Sequence, residues 1–315
     1  MKPKVFLFGT SLVIGISLCT TARAQLYSED FDTDHTANWS VKLSGADAFA
    51  NVFFDYSTLG IPSAPHSTGG STRGIRFLAN QSAGVQQGIS ATPIGQGFTG
   101  DYTVRFDMWL NYNGPLGTGG SGSTQIGSFG IGTTGLTAQW AGSSSSIMFG
   151  AGTDAGSASA YRCYTNNTLA GAASGVYAAG SLSAANAYYT SRYGGASAPA
   201  AQVTLYPGQT GTTPAGTAGF AWRDVLIINT NSIVSWYLDG SLIASVNRTP
   251  LTTLSTNIFL GLFDINNSSS TDANDFLIAS IFDNIVVSAV PEPTSVALMG
   301  AGLGIIAWAA RRRKV

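Results

Sequence analysis

Histidine and cysteine are almost missing from this sequence of 315 residues, with two of each. A histidine-based triad or a multi-histidine metal centre has few parts to draw on. Cys19 lies in the N-terminal apolar region, so Cys163 is left without a partner for an internal disulfide. Charge is scarce too, at 10% of residues, which argues against long charged helices. The net charge of -1 joins basic ends to an acidic middle. Of the 15 basic residues, Lys2, Lys4, Arg23 and residues 311–314 lie at the ends, which leaves eight against the 15 acids that remain once Glu292 is set aside. That middle lacks the basic stripe that phosphate contacts need, so nucleic acid is not an expected partner, whereas cations and neutral polymers are compatible with it.

What is abundant is glycine, at 39 residues, with Ser, Thr and Asn filling the gaps between apolar runs. This is the profile of many short strands joined by turns. The hydrophobic fraction of 44%, with 11% aromatics, is enough to bury a core. Strands are expected at 74–79, 102–110, 220–228, 233–238, 242–246, 258–263 and 276–288. In the second of these, alternation puts Tyr102, Val104, Phe106 and Met108 on one face. Asp239-Gly240 between Trp236-Tyr237-Leu238 and Leu242-Ile243-Ala244 marks a tight hairpin. Residues 113–219 are rich in Gly, Ser, Ala and Thr, with apolar islands at 126–131 and 147–149. A flexible linker has that composition, but Trp140 and six tyrosines between Tyr161 and Tyr193 favour long ordered loops.

The first residues put Lys2 and Lys4 ahead of an apolar run over 5–18, followed by Ala22-Arg23-Ala24. This is the layout of a secretory signal peptide cut after Ala24. At the other end, Pro291-Glu292-Pro293 interrupts regular structure. An apolar stretch over 295–310 follows, and as a helix it would reach about 24 Å, just short of the roughly 30 Å hydrocarbon layer. The basic residues 311–314 would then stay cytoplasmic. Pro291, Glu292 and Pro293, the apolar helix and the basic cluster together resemble the PEP-CTERM sorting signal. That resemblance implies recognition by an exosortase, a membrane cysteine protease, and a passenger associated with exopolysaccharide at the surface of a Gram-negative bacterium. Before processing, the short helix would hold the chain in the inner membrane.

The opening Leu26-Tyr27-Ser28-Glu29-Asp30-Phe31-Asp32, the closing Ile281-Phe282-Asp283-Asn284-Ile285-Val286-Val287-Ser288 and the Trp-Tyr-Leu-Asp-Gly hairpin resemble concanavalin A-like and laminin-G-like jelly rolls. In those folds the first and last strands pair side by side. An immunoglobulin-like sandwich is the rival, disfavoured by length. The expected fold class is thus all-β, an antiparallel β-sandwich of jelly-roll type with long Gly/Ser-rich loops, plus one short C-terminal transmembrane helix. The expected layout is a signal peptide over 1–24, the extracytoplasmic sandwich over 25–290 and the sorting signal over 291–315.

His35, in an Asp-rich turn, and His66, in a Pro/Ser/Gly loop, lie in no motif and read as surface residues, and Cys163 as a buried thiol. Glu29 is the sole glutamate outside the tail, and the Glu-x-Asp-x-x-Glu motif of jelly-roll glucanases is absent. Glycoside hydrolysis needs two placed carboxylates, so the expectation is a protein that is not an enzyme. Asp30, Asp32 and Asp34 alternate, and Asp264, Asn266, Asp272 and Asp275 share one loop region. Both sets offer the oxygen ligands Ca2+ prefers, although Asp and Asn are also ordinary turn formers. Trp140, beside Gln139 and Gly142, is the ring best placed to stack on a sugar. The functional expectation is a surface-destined protein that binds glycan or serves structurally in an exopolysaccharide matrix. A calcium-stabilised adhesion module for protein partners and a polysaccharide-degrading enzyme are the alternatives.

Overall fold

The inward set of the strand Tyr102–Asn111, namely Tyr102, Val104, Phe106, Met108 and Leu110, joins one buried core. Its intervening residues face the other way, as a period of two requires. Repeated through the chain, this alternation builds an antiparallel two-sheet sandwich. The computed structural model describes residues 24–82, 84–114, 124–266 and 275–290.

The first sheet runs β15 (Ser241–Asn247), β14 (Ile233–Leu238), β13 (Arg223–Thr230), β6 (Tyr102–Asn111), β17 (Ala279–Ala289), β4 (Arg73–Ala79) and β3 (Ala48–Asp55). β1 (Gln25–Glu29) also pairs with β17, so the expected pairing of first and last strands is present. β4 takes residues 280–282 of β17 and β1 takes 285–288, so the two lie end to end along one edge. The second sheet runs β10 (Thr168–Leu169), β9 (Tyr161–Thr165), β8 (Ile147–Gly152), β7 (Gln125–Thr133), β16 (Asn257–Asp264), β5 (Gly88–Pro93) and β2 (Trp39–Leu43). A small ribbon joins β11 (Ala196–Ser197) to β12 (Thr212–Thr213). The hairpin at Asp239-Gly240 is present, with φ of 47° and 75° at its two turn residues.

Residues 113–219 differ from the expectation. The islands at 126–131 and 147–149 are not loop segments but lie in β7 and β8, strands buried throughout. Glycine hid them: at Gly127 a Cβ would collide with Leu110 of the opposite sheet, so the missing side chain is what lets the two layers meet. Trp236 lies at the centre of the core, with Phe129, Phe149 and Tyr161 at ring-centroid distances of 5.3, 5.4 and 6.0 Å. The remaining loops are ordered by their tyrosines. Tyr161, Tyr189 and Tyr193 are buried, and their hydroxyls donate to the carbonyls of Gly216, Ser181 and Leu238.

β13 alternates between buried and half-exposed positions, whereas residues 279–283 of β17 are buried on both faces. A second layer explains the difference. Tyr56, Leu59 and Ile61, with Ala198 and Phe220, pack on the outward Trp109 and Ile281 to roof half of the first sheet. Trp222 fills the roof between Tyr56 and Trp109, at 5.1 and 5.7 Å. The rim of this roof positions the site.

Candidate functional site

Opposite β6, the strand β17 carries one extra residue: Asp283 faces Asp107, yet Val286 faces Arg105. Asn284 sits at this bulge with φ of 55°, a left-handed conformation that Asn adopts more readily than most residues. Phe282 and Ile285 both point into the core, so the bulge leaves Asp283 and Asn284 together on the outer face. Uninterrupted alternation would forbid that.

Asp107 and Asp283 are both fully buried, and each is surrounded by donors. Asp283 Oδ2 accepts from Tyr56 Oη at 3.0 Å and from Ser67 Oγ at 2.9 Å. Asp107 Oδ2 accepts from Asn284 Nδ2 at 2.9 Å and from the His66 backbone N–H at 3.2 Å. Burial pushes the Asp283 carboxyl up to about 7; Asp107 adds to the rise, and the bonds from Ser67 and Tyr56 oppose it. These contacts staple the roof segment 56–72 to the sheet.

His66 Nδ1 lies 2.7 Å from Asp107 Oδ1, and its Nε2 lies 3.0 Å from Arg105 Nη2. Arginine only donates, so in this contact Nε2 is the acceptor and Nδ1 is the nitrogen that donates to Asp107. Arg105 is held in turn by Asp224, at 2.7 Å from Nε and 3.0 Å from Nη2. That bidentate pair raises the guanidinium's affinity for its proton still further.

His66, Arg105 and Asn284 line a cleft of about 240 Å3 together with Ser28, Glu29 and Asp30 of the first strand and its following turn. Glu29 is buried and holds His35 Nδ1 at 3.1 Å. Both histidines of the chain keep the surface exposure the sequence led us to expect, with 42% and 41% of their side chains accessible, but each also pairs with a buried carboxylate, His66 at the cleft and His35 on the cleft residue Glu29. An arginine, an amide, an imidazole with a lone pair and carboxylates can bind a polyhydroxylated ligand and can accept a proton from one. The sequence signal for it was the adjacent polar pair Asp283-Asn284 inside an otherwise apolar strand.

The residues singled out from sequence are dispersed. Asp30 lines the cleft, while Asp32 and Asp34 are exposed. Asp30 and Asp34 each accept a backbone N–H two residues on, as turn formers do. Asp264 is buried, accepting from Asn80 Nδ2 and Thr124 Oγ1, each at 2.6 Å, and from the exposed Asn266 backbone at 3.0 Å. Asp275 starts a single helical turn. Asp272 lies outside the described residues, as do Pro291, Glu292, Pro293 and the expected membrane helix. Among the described residues no group of three or more His, Cys, Asp or Glu is arranged to hold a metal ion, and no helix is long and apolar enough to cross a membrane. Trp140 is half-buried, packed beside Phe263 and over Gly88 and Gly142. Cys163 is buried in the core, and burial pushes its thiol up to about 12.

Residues 289–314 match the family model of the PEP-CTERM protein-sorting motif. This motif implies export, a secreted or cell-surface destination in Gram-negative bacteria and an exosortase-type processing partner. No curated protein matches the sequence. Solved structures similar to the chain are of the galectin-like or concanavalin-like jelly-roll type. One is a Bacillus subtilis protein of unknown function with a galectin-like fold, at 8% identity, covering 84% of this chain and 96% of that one, with a TM-score of 0.39. A Bacillus licheniformis β-glucanase has 11% identity, coverage of 84% and 98%, and a TM-score of 0.36. A laminarinase from Flavobacterium has 11% identity, coverage of 84% and 99%, and a TM-score of 0.40.

The expectation that the chain is not an enzyme is corrected at this point. The structures it resembles include that glucanase and that laminarinase, together with an alginate lyase and a transglycosylase. The sequence argument against catalysis also assumed that no histidine or carboxylate was specially placed, and His66 on buried Asp107 removes that assumption.

Proposed function

We propose that the exported sandwich over 25–290 engages a polysaccharide of the cell-surface matrix at the His66–Arg105–Asn284 cleft. On this reading an exosortase removes the tail near Pro291 to Pro293. The observation that carries the proposal is preorganisation. Arg105 is fixed by Asp224, His66 by Asp107 and Asn284 by a bulge, so donors and acceptors stand ready before a ligand arrives. Neighbouring sugar hydroxyls both donate and accept, and fixed groups of both kinds meet them with little ordering cost.

Screening the intact protein on a glycan array and titrating the hits by calorimetry tests this. Arg105→Ala is expected to weaken the best glycan by at least about tenfold, because a charge-assisted hydrogen bond is lost. Unchanged affinity in the folded variant removes the cleft from the binding site.

The tautomer of His66 supports a second reading, proton transfer on the bound glycan. A ligand hydroxyl that displaces Arg105 from Nε2 meets a base oriented by Asp107, the arrangement general base catalysis needs. New reducing or unsaturated chain ends would appear with the wild type and not with His66→Ala. Product formed equally by both would end this reading and leave binding intact.

A further inference from the structure

Arg76, on the outer face of β4 between Asn51 of β3 and Ile281 of β17, differs from most of the described arginines. Arg73, Arg105 and Arg223 each form an ion pair with an aspartate. Arg162 and Arg192 donate to hydroxyls and carbonyls. Arg76 does neither: its buried Nε has no hydrogen-bond partner, a condition it shares with Arg248 among the arginines. What surrounds Arg76 is aromatic. Its guanidinium carbon lies 3.9 Å from the centroid of the Phe54 ring, and Tyr206, near enough to influence its charge, packs against Phe276 at 5.3 Å. Burial lowers the hold of the guanidinium on its proton, with Tyr206 opposing.

Arg76 is half-buried, and a cation held partly out of water with no carboxylate beside it and its Nε unpaired is stabilised by an anion that reaches its accessible amines. In a domain with 15 acids and eight bases, an arginine without a carboxylate is not explained by a shortage of acids. The Phe54 ring orients the guanidinium plane, and Phe54, Tyr206 and Phe276 are partly buried rings along one patch. A planar fork of donors framed by flat apolar rings matches a pyranose that carries a carboxylate, since the carboxylate takes the fork and the sugar face takes the rings.

We infer that Arg76 is a carboxylate-binding subsite and that the glycan this protein engages is acidic, with uronate residues. The inference rests on the glycan-binding reading and adds the chemical class of the ligand. Arg76 does not line the cleft, so a polymer is needed to reach both.

The test is calorimetric titration of the intact protein with an oligouronate, with the same oligosaccharide after reduction of its carboxyls, and with a sulfated oligosaccharide of equal length. The oligouronate is expected to bind at least about tenfold more tightly than its reduced form, with Arg76→Gln abolishing that preference and Arg76→Lys restoring part of it, because lysine keeps the charge and loses the fork. Rising salt should weaken the acidic ligand and leave the reduced one unmoved. Equal affinity for acidic and reduced forms overturns the subsite, as does an unchanged preference in Arg76→Gln with an unchanged melting temperature. Tighter binding of the sulfated ligand overturns the carboxylate assignment. If the subsite fails but Arg105→Ala still weakens the reduced ligand, the cleft stands without it; if no oligosaccharide binds, both fall.

Discussion

The two sheets present outer faces of opposite character. Outward positions of the second sheet include Ser90, Ser128, Gly130, Gly150 and Gly261, small residues over which neighbouring segments lie directly. Outward positions of β6 and β17 include Asp107, Trp109, Asn111, Asp283 and Asn284, whose polar groups are bonded to a second layer or to one another, with Arg105 exposed at the rim. The first kind of face closes mainly by contact, with few hydrogen bonds such as that from the Gln139 N–H to Ser90 Oγ. The second closes through hydrogen bonds whose geometry is fixed, and where the roof stops it leaves aligned donors and acceptors at a rim. In this molecule the site proposed above lies on the less completely sealed sheet.

Removing the centre of the polar face should therefore have the largest destabilising effect. Asp107→Ala removes the acceptor of His66 Nδ1, of the His66 backbone N–H and of one of the two bonds from Asn284 Nδ2, which loosens the segment 56–72. The expected loss is about 3 kcal/mol, the scale of breaking a buried hydrogen-bonded network. In thermal unfolding that corresponds to a fall of roughly 5–10 °C. A loss under about 1 kcal/mol in urea denaturation would mean that the network does not hold the roof.

Asp283 offers a subtler break. The folded protein keeps its proton up to about pH 7, whereas the unfolded chain releases it near 3.8. Between those values the folded state binds more protons, so its contribution to stability, full in acid, is lost as pH rises through about 7. Asp283→Asn keeps the shape and cannot ionise. The variant is expected to flatten the decline in melting temperature between pH 4 and 7, gaining about 4 kcal/mol relative to wild type at the upper end. Parallel pH profiles for the two proteins would show that the carboxyl is charged when folded.

How much of this was legible follows from where periodicity survives. β6 and the Asp-Gly hairpin were readable because each alternates or turns by local rules. β7 and β8 were not, since strand character there comes from close layers that only glycine permits, and glycine in sequence reads as loop. Asp107 was visible as an outward residue, but its partner His66 arrives from a loop 41 residues earlier, which no local pattern records. Asp283-Asn284 was a readable clue: two polar neighbours where alternation allows one. Among the acidic residues that looked like ligands, Asp30 and Asp34 each accept a backbone N–H of their own turn.

On the second sheet the expected effects are steric. A Cβ at Gly88 would run into Trp140, so Gly88→Ala should cost about 1–3 kcal/mol through overpacking. Glycan affinity in the folded variant, and in Trp140→Ala, should match wild type if binding belongs to the first sheet. A fall in affinity with Trp140→Ala, measured at a temperature where the variant is folded, would move the site to the second face and reverse the comparison.

Ser128 supplies the smallest effect and the cleanest contrast with Asp107. Both are fully buried outward residues of central strands, yet the Ser128 hydroxyl has no hydrogen-bond partner while Asp107 has several. Burying an unsatisfied hydroxyl is unfavourable, and replacing it by a methyl of nearly the same shape removes that cost. Ser128→Ala is therefore expected to be neutral or stabilising by about 0.5–1 kcal/mol. Gly261, whose absent side chain leaves the space beside Ser128 Oγ, gives the methyl room. If Ser128→Ala instead loses more than about 1 kcal/mol in chemical denaturation, the hydroxyl has a bonded partner in solution. The second face would then also depend on polar contacts, and the division between a sealing sheet and a functional sheet would not hold.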